Sequence, residues 1–350
     1  MKFNIRYILT FLSITALIFF ITHGTLPAAY AFQDRPAFEV EIGGESPEQL
    51  GRLVDEEKIT DYDKFYYPAS FGVFENFDLV LVLDSIKNRI CAYSLNGKFR
   101  GELKLGFNAH PVDFAWYPAS KRIFVIFQGS PDIGIIDGAD LSSKISARSF
   151  KTINVLESLG LDSKDKPHIL KFWPCEIENT EENNFILNLA LGPAVNLALS
   201  YKNGKIVPLK PVDPSIVEAA GFQGRSFAFD LHKGFICINQ NLRTGSLDFL
   251  MLLKELSPAR GFSCRFTNII GADAKNNFYI GAYMGAAEDG IETAYTYKFD
   301  ETGKFIARAE MPASPGMLVN RFISVDADGA VYYMRRLLNS NRISFYKLKF

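Results

Sequence analysis

The fold of this 350-residue chain is decided by a short stretch that the sequence repeats, Leu95-Asn96-Gly97-Lys98-Phe99. Two variants follow it, Lys202-Asn203-Gly204-Lys205-Ile206 and Glu301-Thr302-Gly303-Lys304-Phe305. An Asn-Gly pair between apolar segments is typical of a tight β-hairpin, because both central residues of the turn need a positive φ angle. The three turns lie about 100 residues apart, so each interval has room for two units of about 45–50 residues.

Six units of this kind can be read along the chain. Each has a strand, a polar turn, a second and strongly apolar strand, and then a third strand. The second strands are predicted at 79–83, 122–127, 185–191, 235–238, 278–283 and 330–334. The third strands are predicted at 89–93, 133–136, 195–201, 247–253, 294–299 and 342–346. One short helix is predicted at 214–220, between two units.

A further strand is predicted near the N-terminus, where Phe38-Glu39-Val40-Glu41-Ile42 alternates apolar and acidic residues. The last unit reaches Phe350 after only three strands, so this segment can supply the fourth strand and cover the open edge. The predicted fold is therefore all-β: a six-bladed β-propeller of four-stranded antiparallel blades, with the last blade closed by an N-terminal strand. A β-sandwich followed by a second β domain is the alternative.

The first unit resembles an NHL repeat. It reads Asp84-Ser85-Ile86-Lys87-Asn88-Arg89-Ile90 and then Tyr93-Ser94-Leu95-Asn96-Gly97-Lys98-Phe99, and Asn341-Arg342-Ile343-Ser344-Phe345-Tyr346 repeats the middle of this pattern. The resemblance is good in the first unit, partial in the fifth and sixth, and faint in the second to fourth. It implies a six-bladed propeller in which the Asp and Asn cap turns and the Arg holds neighbouring strands. These roles are structural and not catalytic.

The first 31 residues are typical of a secretory signal peptide. Lys2 and Arg6 precede an apolar run at 7–21, and residues 26–31 end in an Ala-Tyr-Ala cleavage pattern. We expect cleavage after Ala31, a single propeller domain at 32–350, and a periplasmic or extracellular location. No stable membrane span is expected after cleavage, because about fifteen apolar residues are short for a bilayer. An uncleaved N-terminal anchor is the alternative.

The composition is that of an ordinary globular protein, with 48% hydrophobic and 22% charged residues. The formal net charge of −1 gives no electrostatic support for nucleic-acid binding. The four cysteines lack metal-ligand spacing; Cys91 and Cys237 lie in apolar runs and are expected to be buried thiols, while the disulfide state stays open. No catalytic or cofactor motif is found, so no cofactor is expected.

Aligning the starts of the six first strands predicts a ring of ligand-binding residues at one mouth of the channel. Arginine captures carboxylates or phosphates in a bidentate manner and stacks on aromatic rings, so such a ring would bind an anionic group. The alternative is that each arginine forms a local salt bridge. The predicted ring consists of Tyr67, His110, Trp173, Arg225, Arg265 and Arg321.

Metal binding is the weaker prediction. The NHL resemblance extends to amidating lyases that hold a channel metal on histidines from separate blades, and His110 and His168 could approach each other in this way. A third histidine at an equivalent position is missing, and a catalytic zinc normally has three protein ligands. Asp326-Ala327-Asp328-Gly329 resembles a calcium loop only superficially, because no Glu stands at position twelve, so a tight turn is predicted there.

The sequence therefore favours an exported, non-enzymatic binding or scaffold propeller. We expect it to recognise a protein or peptide segment, or a small anionic ligand, at one face of the channel. The alternative is a lyase or a lactonase-like hydrolase with a channel metal on His110 and His168.

Overall fold

A computed structural model gives the conformation of most of the chain. The residues it describes are 35–52, 67–141, 145–159, 168–175, 183–190, 194–208, 218–222, 225–230, 234–238, 244–247, 262–273, 275, 277–286, 292–300, 304–311, 321–337, 340–348 and 350. The predicted signal peptide at 1–31 and His232 lie outside these residues.

The described residues form strands almost throughout. In chain order the strands are β1 Phe38–Glu41, β2 Ser70–Phe74, β3 Leu79–Asp84, β4 Arg89–Tyr93, β5 Phe99–Lys104, β6 Pro111–Tyr117, β7 Arg122–Phe127, β8 Asp132–Asp137, β9 Ser149–Asn154, β10 His168–Cys175, β11 Asn183–Ala190, β12 Ala194–Lys202, β13 Lys205–Pro208, β14 Glu218–Phe222, β15 Arg225–Asp230, β16 Gly234–Ile238, β17 Thr244–Leu247, β18 Phe262–Ala272, β19 Phe278–Ala286, β20 Glu292–Phe299, β21 Phe305–Met311, β22 Ile323–Val325, β23 Val331–Arg336 and β24 Arg342–Leu348. A 3₁₀ turn spans Glu75–Phe77, and a short helix, α1, spans Val155–Leu159.

These strands pair into four-stranded antiparallel sheets, as the repeat predicts. Five sheets follow the chain: sheet 1 (β2–β5), sheet 2 (β6–β9), sheet 3 (β10–β13), sheet 4 (β14–β17) and sheet 5 (β18–β21). Sheet 6 has the order β1-β24-β23-β22, so it combines strands from both ends of the chain. The first strands neighbour one another in a cycle, with β2 beside β6, β6 beside β10, and so on to β22, which returns to β2.

The hydrophobic core lies between the faces of adjacent sheets. Leu81 and Phe114 belong to a cluster that joins sheets 1 and 2, and Phe71 and Phe345 belong to one that joins sheets 6 and 1. All four side chains are fully or almost fully buried. Because burying one such side chain contributes about 1.5–3 kcal/mol, these interfaces hold the sheets face to face.

The N-terminal strand lies beside the last strand of the chain. In the antiparallel register of β1 and β24, Phe38 stands opposite Phe345 and Val40 opposite Ile343. The rings of Phe38 and Phe345 stack with centroids 4.5 Å apart. The acidic residues of the alternating pattern are the exposed ones, so the period-two pattern correctly identified the buried face of β1.

The residues that resemble an NHL repeat make structural contacts in sheet 1. Arg89 Nε donates to Asp84 Oδ2 at 3.0 Å, and the guanidinium also binds Glu102 on β5. Asn88 Nδ2 donates to the Phe107 carbonyl oxygen at 2.8 Å, and the backbone N–H of Gly51 donates to Asp84 Oδ2 at 3.0 Å. These side chains therefore join a turn, two strands and the segment that follows β1.

Two secondary-structure predictions are corrected. The predicted helix at 214–220 overlaps β14, which begins at Glu218, because pairing with β15 outweighs the helix propensity of the Glu-Ala-Ala sequence. In the fourth unit the predicted second strand, 235–238, is the third strand of sheet 4, β16, and the fourth strand, β17, shares only Leu247 with the predicted third strand, 247–253. The helix α1 was not predicted; Asn154 caps it, since its Oδ1 accepts the Glu157 N–H at 3.1 Å.

Two further expectations concern the Cys91 thiol and membrane-spanning segments. Cys91 is a buried free thiol, and burial, the largest influence, raises the pKa of its thiol to about 12. Across the described part of the chain, no helix has the length and apolar character needed to cross a bilayer.

Candidate functional site

The predicted ring residues occupy two different regions of the sheets. Tyr67, His110 and Arg321 precede the first strands β2, β6 and β22, at what we call the entrance end. Arg265 lies inside the first strand β18. Trp173 and Arg225 do not lie at the entrance end: Trp173 is near the end of β10, and Arg225 begins β15, the second strand of sheet 4.

The misplacement of Trp173 and Arg225 has a simple cause. The predicted alignment took the Lys-Phe-Trp cluster as the start of a strand, but β10 already begins at His168. In sheet 4 the first strand is the segment that was predicted as a helix, and its last residue, Phe222, pairs with Arg225 across a hairpin. Whether these residues bind a ligand stays a prediction; their positions along the strands differ from that of Arg321.

The side chain of Arg321 crosses the start of β2 to reach sheet 2. Its Nη2 donates to Asp113 Oδ1 at 2.9 Å and to the Phe114 carbonyl oxygen at 2.6 Å. The backbone N–H of Arg321 donates to the Ala69 carbonyl oxygen at 3.1 Å, which fixes its position at the entrance end. This is the local pairing that the sequence left open as the alternative for the arginines.

The Asp113–Arg321 pair is mostly removed from water. The Asp113 side chain is 3% exposed and that of Arg321 is 20% exposed. Removing one partner from a buried pair typically costs about 3–5 kcal/mol, because the remaining charge is left uncompensated. Arg321 nevertheless keeps unused donor capacity, since its buried Nε has no hydrogen-bond partner among the described residues.

Tyr67 is positioned by a second arginine, which the sequence analysis did not single out. Arg336 ends β23, and its Nη1 donates to the Tyr67 hydroxyl at 2.6 Å. The guanidinium carbon also lies 4.8 Å from the centroid of the Tyr67 ring. Both side chains are buried, so this contact fixes the Tyr67 ring beside the start of β2.

His110 and His168 stand at the starts of neighbouring first strands. His110 immediately precedes β6, and His168 is the first residue of β10. His110 is half-buried, and burial lowers the pKa of its imidazole, which favours the neutral form that binds metals. The carbonyl oxygen of His110 accepts the Gln128 N–H at 2.9 Å, so its backbone is anchored to sheet 2.

Asp113, the acidic partner of Arg321, was not predicted as a site residue. A usable signal was present, because Asp113 is the one charged residue in the otherwise apolar strand Pro111–Tyr117. A carboxylate within a strand that is buried on both faces needs a partner. Its position alone, however, does not indicate which cation reaches it.

The opposite ends of the first strands carry a different set of charges. Glu75 follows β2, Asp326 follows β22, and Asp328 lies in the same turn as Asp326. One carboxylate oxygen of each residue lies within 4.8 Å of the other two. We call these three residues the acidic cluster; it lies at the far end of the strands from Arg321.

Comparison with known proteins found similar solved structures but no family. No family model matches the chain, and no curated protein matches it. A luciferin-regenerating enzyme structure has 12% sequence identity and a TM-score of 0.49, and the match covers 83% of this chain and 94% of that chain. The calcium-binding protein regucalcin from Agrobacterium tumefaciens has 12% identity and a TM-score of 0.46, with coverage of 93% and 97%.

A third similar structure is the β-propeller domain of Cps50 (Swd1) from Myceliophteria thermophila, with 10% identity, a TM-score of 0.41 and coverage of 82% and 99%. The similar structures are β-propeller proteins. At these identities and TM-scores the likeness carries no argument about activity or ligands.

Proposed function

We propose that this protein is an exported, non-enzymatic binding or scaffold propeller of the NHL-like type. In this proposal the six sheets are blades around a channel, and β1 closes the last blade. The ligand is a protein segment or a small anionic group that binds at the entrance end. The cyclic order of the first strands and the mixed origin of sheet 6 support the architecture.

The observation that carries the ligand assignment is the unsatisfied donor of Arg321. Its Nη2 is committed to Asp113 and Phe114, whereas its buried Nε has no acceptor in the described part of the chain. A buried donor without an acceptor costs about 1–3 kcal/mol, so an incoming oxygen at this point gains that energy. A carboxylate or a peptide carbonyl of the ligand supplies such an oxygen.

The charge of Asp113 limits what the site binds. Because Asp113 already neutralises Arg321, the entrance end does not attract multiply charged anions strongly. Half-buried His110 lies at the start of the neighbouring first strand β6 and offers a ring that packs against an extended segment. A peptide that presents one carboxylate or carbonyl oxygen fits this arrangement better than a polyphosphate.

Affinity capture from the native envelope fraction tests this proposal. Arg321→Ala is expected to lower capture of the bound partner by about tenfold or more, and Arg321→Lys to restore it only in part, since lysine lacks the planar donor fork. The matched control is Arg342→Ala, because Arg342 is an exposed arginine that contacts Glu39 and Glu41 on the edge strand of sheet 6. This control is expected to capture normally.

A second variant guards against misfolding. Arg321→Ala leaves Asp113 buried without its cation, whereas Arg321→Ala combined with Asp113→Asn removes both charges. If the double variant folds, by its melting curve and circular dichroism, and still captures the partner at the wild-type level, the entrance end is not the binding site.

The metal-dependent lyase or hydrolase stays as a second candidate, because His110 and His168 stand at the starts of adjacent first strands. Metal analysis of the purified protein separates the two functions. One divalent ion per chain that is lost in both His110→Ala and His168→Ala would favour the enzyme. A metal-free protein that still captures its partner would favour the binding propeller.

A further inference from the structure

The turns after the first strands of sheets 5 and 6 are built on the same pattern. In each turn the first residue is an aspartate whose backbone N–H donates to the carbonyl oxygen four residues later, at 3.0 Å in sheet 5 and 2.9 Å in sheet 6. A tyrosine follows six residues after the aspartate, and a lysine stands opposite that tyrosine on the next strand. The two sets are Asp273, Tyr279 and Lys298 in sheet 5, and Asp326, Tyr332 and Lys347 in sheet 6.

In sheet 5 this set is complete in itself. Asp273 Oδ1 accepts the backbone N–H groups of Lys275 and Asn277, each at 3.0 Å. Its Oδ2 accepts from Asn277 Nδ2 at 2.8 Å and from the Tyr279 hydroxyl at 2.9 Å, and Lys298 Nζ lies 3.5 Å away. Both oxygens of this buried carboxylate are therefore satisfied, and its charge has a cation beside it.

In sheet 6 three residues of the turn are different, and two of these changes affect the surroundings of the aspartate carboxylate. Ala330 stands where sheet 5 has Asn277, and Asp328 stands where sheet 5 has Lys275. Asp326 therefore lacks an amide side chain to bind and gains a second carboxylate as a neighbour. Its Oδ1 accepts the Ala330 N–H at 2.7 Å, but its Oδ2 is buried and has no hydrogen-bond partner among the described residues. The residue as a whole is 4% exposed.

In sheet 6 the tyrosine and the lysine of the set bind Glu75 of sheet 1. The Tyr332 hydroxyl and Lys347 Nζ both donate to Glu75 Oε1 and not to Asp326. Burial opposes ionisation of Glu75, but the hydrogen bonds from Lys347 and Tyr332 outweigh it and lower the pKa of this carboxyl. Lys347 is thereby held at Glu75.

The charges of this region do not balance. Glu75, Asp326 and Asp328 are three carboxylates, and Lys347 is the one ammonium group that contacts any of them in the described structure. Three negative charges and one positive charge leave two negative charges. Burial, and then the charges of Glu75 and Asp328, raise the pKa of Asp326 to about 6 against the hydrogen bond from Ala330, which reflects this imbalance.

We propose that the acidic cluster binds one divalent, oxygen-preferring cation, with Ca²⁺ as the best fit, between sheets 6 and 1. Two independent observations support it: the convergence of three carboxylate oxygens within 4.8 Å, and the buried, unpartnered Oδ2 of Asp326. An ion about 2.4 Å from each ligand links oxygens that are up to about 4.8 Å apart. Exposed Asp328 provides the path from solvent, and water completes the coordination.

The experiment is a calcium titration of the purified full chain after treatment with a chelator. We expect one Ca²⁺ per chain by calorimetry, with a dissociation constant on the order of 10⁻⁴–10⁻³ M, as in extracellular calcium modules. The melting temperature should rise as the site fills, since ligand binding to the folded state stabilises it. Mg²⁺ should bind more weakly, because it demands a stricter octahedral geometry.

Variants copied from sheet 5 make the test specific. Asp328→Asn changes an exposed residue, so the protein should fold while the calcium affinity falls about tenfold or more, because affinity depends on ligand charge. Asp328→Lys combined with Ala330→Asn converts the turn to the sheet 5 sequence at these positions and should abolish binding. The control is Glu41→Gln, which removes an exposed carboxylate on β1 away from the acidic cluster and should leave the calcium affinity unchanged.

Three results would overturn the proposal. They are no stoichiometric calcium binding up to about 10 mM, which is ten times the weakest expected constant; an affinity that is unchanged in Asp328→Asn; and an equal response to Mg²⁺, which would indicate a general ionic effect. Each result is independent of partner capture at Arg321, which lies at the other end of the first strands.

Discussion

Sheets 5 and 6 carry the same aspartate, tyrosine and lysine in the same register, yet they satisfy them differently. Sheet 5 is one continuous piece of chain, and Asp273, Tyr279 and Lys298 bind one another. Sheet 6 takes β1 from the other end of the chain, and its Tyr332 and Lys347 bind Glu75 of sheet 1. Sheet 6, in which the N-terminal strand pairs with the last strand, therefore depends on other parts of the chain in two ways. Its edge strand comes from the N-terminal region, and its Tyr332 and Lys347 side chains bind a carboxylate of sheet 1.

The difference teaches that a repeated polar motif does not have a repeated role. Two of the three changes in the five-residue turn, at Asp328 and Ala330, accompany the difference between a satisfied buried carboxylate and one with an unpartnered oxygen. The tyrosine link to the next sheet persists in both places: the Tyr279 hydroxyl lies 3.1 Å from the Gly329 carbonyl oxygen of sheet 6, and the Tyr332 hydroxyl contacts Glu75 of sheet 1.

The largest loss of stability is expected from deleting β1, the edge strand of sheet 6. Deleting residues 35–44 exposes the edge of β24 and removes the buried side chains of Phe38, Val40 and Ile42. The expected loss of unfolding free energy is about 4–6 kcal/mol, measured by urea denaturation. A chain that begins at Arg35 is the control and should unfold like a chain that begins at Phe32. If the deletion leaves the denaturation midpoint unchanged, sheet 6 does not depend on β1.

The second effect tests how tightly sheets 5 and 6 are joined. A Cβ atom at Gly329 would lie 2.5 Å from the Tyr279 hydroxyl and 2.6 Å from Asp273 Oδ2, and the φ angle there is +83°. Because Tyr279 is fully buried and cannot move aside, Gly329→Ala should cost about 3 kcal/mol from backbone strain and overpacking together.

Gly204→Ala is the matched control for this substitution. Gly204 has a φ angle of +80°, but a Cβ atom there meets nothing within 4 Å, so only the backbone strain of about 1 kcal/mol remains. Equal losses in the two variants would mean that the contact of Gly329 with Tyr279 and Asp273 does not restrain the two sheets.

The sequence predicts best the strands whose signals are local. The predicted bounds 89–93 and 122–127 are those of β4 and β7, because polar turns flank short apolar runs in sheets 1 and 2. Glu218-Ala219-Ala220 was predicted as helix since its residues are good helix formers, but pairing with the next strand, β15, makes it β14. Propensity fails where tertiary contacts decide the structure.

In the candidate sites, too, features with a local sequence signal were predicted and features that depend on tertiary contacts were not. The position of Arg321 before a first strand was predicted, whereas its partner Asp113 lies in a different sheet and depends on how the sheets are arranged. The turn at Asp326 was also predicted, but its unsatisfied oxygen was not. The unsatisfied oxygen of Asp326 arises because Tyr332 and Lys347 bind Glu75, which lies in sheet 1 and is distant in the sequence. A local sequence pattern does not reveal these contacts.

The smallest effect comes from deleting the two tyrosine hydroxyls, and it compares sheets 5 and 6 most directly. The Tyr279 hydroxyl is within hydrogen-bond distance of two acceptors, Asp273 Oδ2 and the Gly329 carbonyl oxygen, inside a fully buried ring. Burial, followed by the charge of Asp273, raises the pKa of Tyr279, so the hydroxyl stays a donor at every physiological pH. Tyr279→Phe leaves buried acceptors short of a donor and should cost about 2 kcal/mol.

Tyr332→Phe should cost less, about 1 kcal/mol, because Glu75 keeps Lys347 as a partner and is itself only partly buried. Urea denaturation of both variants in calcium-free buffer measures the difference, and phenylalanine preserves the packing of each ring. Adding Ca²⁺ should stabilise Tyr279→Phe as much as the wild type, since the acidic cluster is intact in that variant. A larger loss of unfolding free energy in Tyr332→Phe than in Tyr279→Phe would contradict this expectation. It would mean that the Tyr332–Glu75 hydrogen bond stabilises the protein more than the Tyr279–Asp273 hydrogen bond does.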